Sequence, residues 1–240
     1  MTDIVVSEWI KFQTIRSTWW TVAAVAALPV GVAALVALTA SLAPDDTVLS
    51  GALGNAVVGL VPAGILGALL AAGEHSGGTL RLTLAAVPLR WPVAVAKAIL
   101  AGAVAFVVAL AANGVGFAVA TTLLPDHAPG AAMPALLGVA LVYAAVAVLG
   151  VALGIALRNP AGAVTAVSGI LLAPALLGPL LGRAQWLAGI TPFGAAQNVV
   201  LPAPGAMPEG LGGWPSVAVV GLGCIASLGA ATWLLRRRDA

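Results

Sequence analysis

Charge is scarce in this sequence. Only 8% of its 240 residues are Asp, Glu, Lys or Arg, and 61% are hydrophobic, with a mean hydropathy of +1.10. Soluble domains carry roughly 25% charged residues, so a soluble fold of this composition would leave most of its surface apolar. We therefore expect an integral membrane protein. The net charge of +2 is too small to indicate binding to nucleic acid.

Residues that build catalytic and metal sites are equally scarce. The single cysteine, Cys224, excludes an internal disulfide and a Cys-rich metal site, and His75 and His127 form no recognisable ligand pattern. Neither lysine, Lys11 or Lys97, ends a G-x-x-x-x-G-K-[ST] loop, so the chain cannot hold ATP in the P-loop manner. We expect a non-catalytic chain without a metal or cofactor of its own.

Long uncharged runs dominate the rest of the sequence. A spanning helix needs about 20 mostly apolar residues, and the runs lack the alternating polar face that a membrane barrel requires. We therefore predict an all-α membrane protein with a single transmembrane domain over residues 1–240. The six predicted spans are about 20–42, 51–72, 98–123, 135–157, 161–181 and 215–235.

A seventh uncharged run, residues 184–208, contains four prolines, two glutamines and an asparagine. Backbone broken this often is hard to satisfy against lipid, so we interpret the run as a long outer segment with short helices between spans five and six.

The basic residues predict the orientation. With six spans and both termini in the cytoplasm, only Arg183 of the ten Lys and Arg residues falls outside, as the positive-inside rule favours. A seventh span would place the "RRR" tail outside. No charged residue lies within the six predicted spans, which argues against a proton relay or a buried ion pair.

The stretch "SEWIKFQTIRSTWWT" precedes and enters the first span. On a helix, Ser7 and Lys11 share a polar stripe, whereas Trp9 and Phe12 lie on another side. This spacing predicts an amphipathic interfacial helix over residues 1–19, which either only anchors the first span or also touches a cytoplasmic partner. Its candidate site residues are Trp9, Lys11, Phe12 and Arg16.

The segment "EHSGGTLRLTLAAVPLRW", Glu74–Trp91, is the main polar interruption and faces the cytoplasm in this topology. It is a plain connector, a catalytic loop using Glu74 and His75, or a docking element whose Leu80, Leu84 and Val87 form an apolar face. No nucleophile or metal set accompanies the acid and the histidine, which disfavours the catalytic interpretation.

The order of these segments resembles the permease subunits of bacterial type-2 ABC transporters. In that family a Glu closes the second span, a Gly-Thr-Leu/Ile-Arg run and an Ala-Val-Pro stretch follow, and a Lys opens the third span. The matching residues here are Glu74, Gly78, Thr79, Leu80, Arg81, Ala86, Val87, Pro88 and Lys97. The resemblance is specific in the first hundred residues and architectural afterwards.

This resemblance implies an exporter permease in a bacterial cytoplasmic membrane that moves a lipophilic or amphiphilic compound. The segment after span two would be the coupling helix on a separate ABC ATPase, which would bind ATP and magnesium. A second permease, identical or not, would complete the pathway, with lipid around it. The alternatives are a non-transporting immunity or signalling subunit, then a secondary transporter or a membrane enzyme. The residues expected to couple to the ATPase are Glu74, Gly78, Thr79, Leu80, Arg81, Leu84, Val87 and Pro88.

Polar and small residues within the spans are the remaining candidates. Asn55, Asn113, Thr165 and Ser168 either satisfy contacts between helices or line the pathway. "GVALG" at 150–154 and "GPLLG" at 178–182 allow close helix approach, within the chain or between two copies.

Overall fold

The fold is described by a computed structural model. It describes residues 2–43, 46–54, 56–76, 90–177, 189–200 and 212–238. Over these residues the regular structure is entirely helical, which confirms the all-α prediction. The helices are α1 (Thr2–Thr14), α2 (Arg16–Thr39), α3 (Val48–Gly54), a 3-10 turn (Ala56–Gly59), α4 (Leu60–Ser76), α5 (Arg90–Leu123), α6 (Ala132–Leu157), α7 (Pro160–Leu177), α8 (Pro192–Val200) and α9 (Gly213–Arg238).

Five helical stretches in the described part of the chain are long and apolar enough to cross a membrane. They are Arg16–Thr39, Val48–Gly73, Trp91–Leu123, Ala132–Leu157 and Gly213–Leu235. The protein is therefore a multi-pass membrane protein. The predicted fifth span, 161–181, coincides with α7, whose apolar stretch Pro160–Pro174 is shorter than the other five.

Helix boundaries differ from the predicted ones mainly at the first and third spans. The predicted helix over residues 1–19 divides at Ile15, whose extended backbone (φ −93°, ψ 113°) separates α1 from α2. Helix α5 begins at Arg90 instead of residue 98 and has 34 residues. At 1.5 Å per residue it is about 50 Å long, which exceeds the roughly 30 Å of a hydrocarbon core.

Capping side chains explain where three helices begin. Thr47 Oγ1 accepts the Ser50 N–H at 3.1 Å before α3, and Thr191 Oγ1 accepts the Gly194 N–H at 3.1 Å before α8. Asn159 Oδ1 accepts the Ala161 N–H at 3.0 Å before α7. These bonds satisfy amide groups that have no partner within the first helical turn. Arg158, in the left-handed region at φ 54°, ends α6 immediately before Asn159.

The closest helix pair in the bundle is α4 against α6. A Cβ at Gly67 would overlap the carbonyl oxygen of Ala147, and a Cβ at Gly150 would overlap that of Gly64. Gly154 lies against the Ala68 carbonyl in the same way. The small residues of the 150–154 motif are therefore used for packing inside the chain. The other motif, 178–182, lies outside the described residues.

The second long stretch is not one continuous α-helix. Helix α3 and helix α4 are separated by the 3-10 turn Ala56–Gly59. Gly59 in this turn faces the Tyr143 ring and hydroxyl on α6 and the ring of Pro29 on α2. The absence of a side chain at residue 59 is what lets these two helices close over the turn.

One end of the bundle gathers the end of α4, the start of α5 and the ends of α6 and α9. Ala71, Ala94, Ile155 and Ala231, one from each helix, belong to the same buried cluster. Lys97 lies one turn beyond Ala94, and Arg158 and Arg237 follow Ile155 and Ala231. We call this the basic end of the bundle.

Candidate functional site

The predicted coupling segment lies between α4 and α5. Glu74 belongs to the last turn of α4, which ends at Ser76, and α5 begins at Arg90. Both helices therefore lead directly from this segment into the basic end of the bundle. The other predicted coupling residues, Gly78, Thr79, Leu80, Arg81, Leu84, Val87 and Pro88, lie outside the described residues.

The N-terminal helix packs into the same end of the bundle through Phe12. The Phe12 side chain is buried in a cluster with Leu66 of α4 and Leu100 of α5. Val22 of α2 and Val104 of α5 pack against this cluster. Helix α1 is therefore held by three other helices and forms part of the folded bundle.

Aromatic side chains close the elbow between α1 and α2. The Trp9 and Phe12 rings stack with centroids 5.6 Å apart, and the Trp19 ring meets the Phe12 ring edge-on at 6.2 Å. The Trp19 Nε1–H donates a hydrogen bond to the Gln13 carbonyl at 3.1 Å, which satisfies an acceptor at the end of α1. Arg16 is exposed at the start of α2. These contacts fix the angle between α1 and α2, although the helix is interrupted at Ile15.

A buried ion pair joins α1 to α5. The Lys97 Nζ donates a hydrogen bond to Oε2 of Glu8, and these residues are only 5% and 4% exposed. The other carboxylate oxygen, Oε1, accepts a hydrogen bond from Lys11 Nζ at 2.8 Å. Lys11 is less buried, with a third of its side chain exposed. Both oxygens of the Glu8 carboxylate therefore have a cationic partner.

This pair overturns the expectation that the spans contain no buried ion pair. Lys97 lies within the long helix Trp91–Leu123 that is able to cross a membrane. Its partner comes from α1, outside the predicted spans, so a search for charges within the spans alone does not find it. A buried charge of this kind persists only when it is paired and hydrogen-bonded.

The polar residues predicted at depth have separate roles in the structure. Asn113 is buried, and its Nδ2 donates a hydrogen bond to the Ala109 carbonyl at 2.8 Å. Its side chain also bonds to Tyr143, which in turn bonds to the backbone of Gly59. Thr165 is exposed and donates to the Ala161 carbonyl of its own helix, and Ser168 is half-buried. Asn55 lies outside the described residues.

The Asn113–Tyr143–Gly59 contacts form a node where α5, α6 and the 3-10 turn meet. Tyr143 is not among the predicted site residues, although it is the only tyrosine in the chain. A tyrosine hydroxyl in an apolar interior needs a hydrogen-bond partner, and that requirement is the sequence signal that could have located this node.

Comparison of the chain with known protein families, with curated protein sequences and with solved structures gave no match.

In the part of the chain that the structure describes, no group of three or more His, Cys, Asp or Glu side chains is arranged to hold a metal ion. The arrangement at the basic end is suited to holding helices in a fixed relative position.

Proposed function

We propose that this protein is the permease subunit of an ATP-driven exporter of the type-2 ABC class. In this proposal six spans cross a bacterial cytoplasmic membrane, and the residues between α4 and α5 dock on a separate ATPase that binds ATP and magnesium. A second permease completes the pathway for a lipophilic or amphiphilic compound. The family assignment rests on the resemblance of Glu74–Lys97 and of the N-terminal stretch.

The observation that carries the proposal is the position of the candidate coupling segment between two helices embedded in the bundle. Helix α4 is packed without intervening side chains against α6 at Gly67 and Gly150. Helix α5 contacts α2, where Gly116 lies against Ala33, and contacts α1 through Lys97. A displacement of the residues between α4 and α5 would therefore reach three other helices, α6, α2 and α1. That is what a subunit driven by an external motor requires.

The basic end is the cytoplasmic side in this proposal. Lys97, Arg158 and Arg237 lie at or beside the cluster that defines this end. Cytoplasmic ends of membrane helices carry an excess of Lys and Arg. The Arg237 guanidinium lies 4.0 Å from the centre of the Trp233 ring, an arrangement that suits the headgroup region.

A non-transporting membrane subunit that docks an ATPase is the second candidate. The observation in its favour is the burial of Asn113, whose amide bonds within the bundle. Thr165 likewise bonds to its own helix. Asn113 is thus used inside the bundle and the Thr165 hydroxyl donates within its own helix, which favours a structural role for these two residues.

A docking variant tests the proposal. Leu84→Asp replaces an apolar side chain whose burial contributes roughly 1.5–3 kcal/mol by a charge that is costly to bury unpaired. We expect at least about a tenfold loss of ATPase binding, since 1.4 kcal/mol corresponds to one decade in affinity. Membrane abundance, co-purification of the ATPase and ATP-dependent export are measured together, with Asp126→Asn as the control at the opposite end of the bundle.

The three measurements separate the two candidates. If the parent exports and Leu84→Asp loses both ATPase binding and export, the result supports the exporter. Loss of ATPase binding from a chain that never exports supports the non-transporting subunit. Normal abundance with full ATPase binding in Leu84→Asp would show that this segment is an ordinary connector.

A further inference from the structure

The second long stretch is held in the bundle in two different ways, one on each side of the 3-10 turn. On one side, α4 packs backbone to backbone against α6, because Gly67 lies against the Ala147 carbonyl with no space for a side chain. On the other side, α3 lies among α2, α5 and α8. The turn therefore separates two parts of one apolar stretch that have different neighbours.

The contacts of α3 are of a kind that can be released. The Leu42 side chain covers Gly51 and occupies the space that a Cβ would take there. The Val48 N–H donates a hydrogen bond to the Ala128 carbonyl at 3.0 Å, in the loop between α5 and α6. A leucine side chain can move to another rotamer, whereas two opposed backbones cannot yield in this way. Displacing α3 is therefore easier than displacing α4.

The first turn of α3 carries its own cap. Thr47 Oγ1 accepts the Ser50 N–H at 3.1 Å, and Ser50 Oγ accepts the Thr47 N–H at 3.2 Å. This reciprocal arrangement satisfies two amide groups at the start of the helix, as a capping box does. Helix α3 is therefore able to move as one helical unit.

Gly54 and the 3-10 turn form the joint between α3 and α4. A Cβ at Gly54 would meet nothing within 4 Å among the described residues, so this end of α3 has open space beside it. The helical geometry changes from α to 3-10 after α3 and back to α at Leu60. A 3-10 stretch within a longer helix often marks a hinge.

Tyr143 lies at the boundary between the two parts. Its side chain bonds to the backbone of Gly59, the last residue of the turn, and to Asn113 of α5. Tyr143 and Asn113 are both buried, and they belong to two helices that run through the whole bundle. These bonds hold the turn in the form seen in the structure.

Helix α3 closes the end of the bundle opposite the basic end. Its contact with Ala128 places it beside the loop that joins the end of α5 to the start of α6. Four of its side chains are at most 4% exposed: Val48, Leu49, Ala52 and Leu53. A displacement of α3 would therefore open an apolar interior at this end.

We propose that α3 is a hinged flap that opens and closes the end of the bundle opposite the basic end. It turns about Gly54 and the 3-10 turn while α4 stays fixed on α6, and the Tyr143 hydroxyl holds the turn in the closed form. The flap goes beyond the proposed function, because it concerns the end away from the coupling segment and opens without an ATPase.

Cysteine labelling of the purified protein in lipid nanodiscs measures the opening. In a Cys224→Ala background, Val48→Cys and Leu53→Cys report from the two ends of α3, and Leu136→Cys reports from α6 at the same end of the bundle. The rate of reaction with a membrane-impermeant thiol reagent is divided by the rate of the same cysteine in unfolded protein. Leu136 is the more exposed leucine, at 7% against 2% for Leu53, so static burial favours labelling at the control position.

A hinged flap uncovers both of its ends together. We therefore expect the same ratio at Val48 and Leu53, and a ratio at least about tenfold lower at Leu136, because local opening needs less free energy than opening of the packed core. Unwinding from the start of α3 would give a lower ratio at Leu53 than at Val48 and would overturn the flap. Ratios at both α3 positions no higher than at Leu136 would overturn it as well.

Two variants test the joint and the bond that holds it. Gly54→Ala restricts the joint and should lower the ratio at Leu53 by about two- to fivefold, the equivalent of ~0.4–1 kcal/mol. Tyr143→Phe leaves a buried group unsatisfied in the closed form and should raise the ratio at least about fivefold.

Gly169→Ala is the matched control on α7, because a Cβ there also meets nothing within 4 Å among the described residues. It should leave the ratio at Leu53 unchanged. The same ratio in Gly54→Ala as in the parent would overturn the hinge at this joint. An unchanged ratio in Tyr143→Phe would overturn the role of the hydroxyl in holding the flap closed.

Discussion

Gly67 of α4 lies directly against the carbonyl oxygen of Ala147 on α6, with no space for a Cβ between them. Gly64, Gly150 and Gly154 continue the same contact along both helices. Close backbone approach of this kind maximises dispersion contacts between helices in lipid, where no hydrophobic driving force favours association. The two helices therefore behave as a single unit, and this unit includes the end of α4 that leads to residues 77–89.

Gly67→Ala should weaken the packing of α4 against α6. The added methyl group overlaps backbone, which cannot rotate away as a side chain can, so we expect a loss of about 1–3 kcal/mol in the free energy of unfolding. Thermal unfolding of the purified protein measures it. Gly73→Ala is the control on the same helix, because a Cβ there meets nothing within 4 Å and alanine favours helix by up to ~1 kcal/mol over glycine. Equal melting temperatures for the two variants would contradict this account of the contact.

Breaking the ion pair should be more damaging than removing an exposed cation. Lys97→Met leaves Glu8 with one of its two cationic partners and with a buried oxygen unpaired, so a loss of about 3–5 kcal/mol is expected. Arg237→Met, which removes an exposed cation from the Trp233 ring, should cost no more than about 1 kcal/mol. Membrane abundance and thermal unfolding report both. A Lys97→Met protein as stable as Arg237→Met would show that the pair contributes little.

Tyr143→Phe should loosen the node at the 3-10 turn. The variant keeps the ring but removes the hydroxyl that bonds to Asn113 and to Gly59, and unsatisfied buried groups cost roughly 1–3 kcal/mol. Amide exchange at residues 56–60 should rise while the centre of α6 stays protected. Thr165→Val is the comparison, since its hydroxyl is exposed and bonds only within α7 in the described contacts. Unchanged exchange at the turn in Tyr143→Phe would mean that the hydroxyl does not hold it.

The orientation is tested by labelling from outside the cell. In a Cys224→Ala background, cysteine at Asp126 should react with an impermeant thiol reagent, and cysteine at Arg158 or Asp239 should react only after the membrane is opened. Asp126 is exposed between α5 and α6, and Arg158 is partly exposed after the far end of α6, so a reagent on the correct side can reach either position. External labelling at Asp239 would contradict the proposed cytoplasmic position of the basic end.

Most of the helical architecture follows from composition, because an apolar run of about 20 residues has few alternatives to a spanning helix. The pattern also indicated that 184–208 contains short helices, and α8 at Pro192–Val200 is one of them. The ends of the helices were harder to predict from the sequence. The predicted start at residue 98 followed the last charge, Lys97, whereas α5 begins at Arg90 and buries Ala94 in a cluster with Ala71 and Ile155. Pro92, in the first turn of α5, was a local signal of the earlier start.

The site was harder to predict than the fold. The polar stripe assigned to the N-terminal helix contained Ser7 and Lys11 and left out Glu8, whose partner is 89 residues away. A usable signal existed: Ile4, Glu8 and Phe12 recur every four residues and share one face, and Lys97 is an isolated cation beside a long apolar run. Only the tertiary structure unites these two facts. The small-residue motif at 150–154 likewise indicates that another helix approaches α6 closely, but it does not indicate which helix.

The separation of Glu8 and Lys97 along the chain also imposes an order on biosynthesis. At roughly 5–20 residues per second, the ribosome reaches Lys97 about 5–20 seconds after Glu8. During that interval Glu8 has no α5 to meet, and Phe12 still lacks Leu100 after Leu66 has been made. Helix α1 is therefore synthesised before the partners that hold it, and it reaches its final position only after the third long helix has been made.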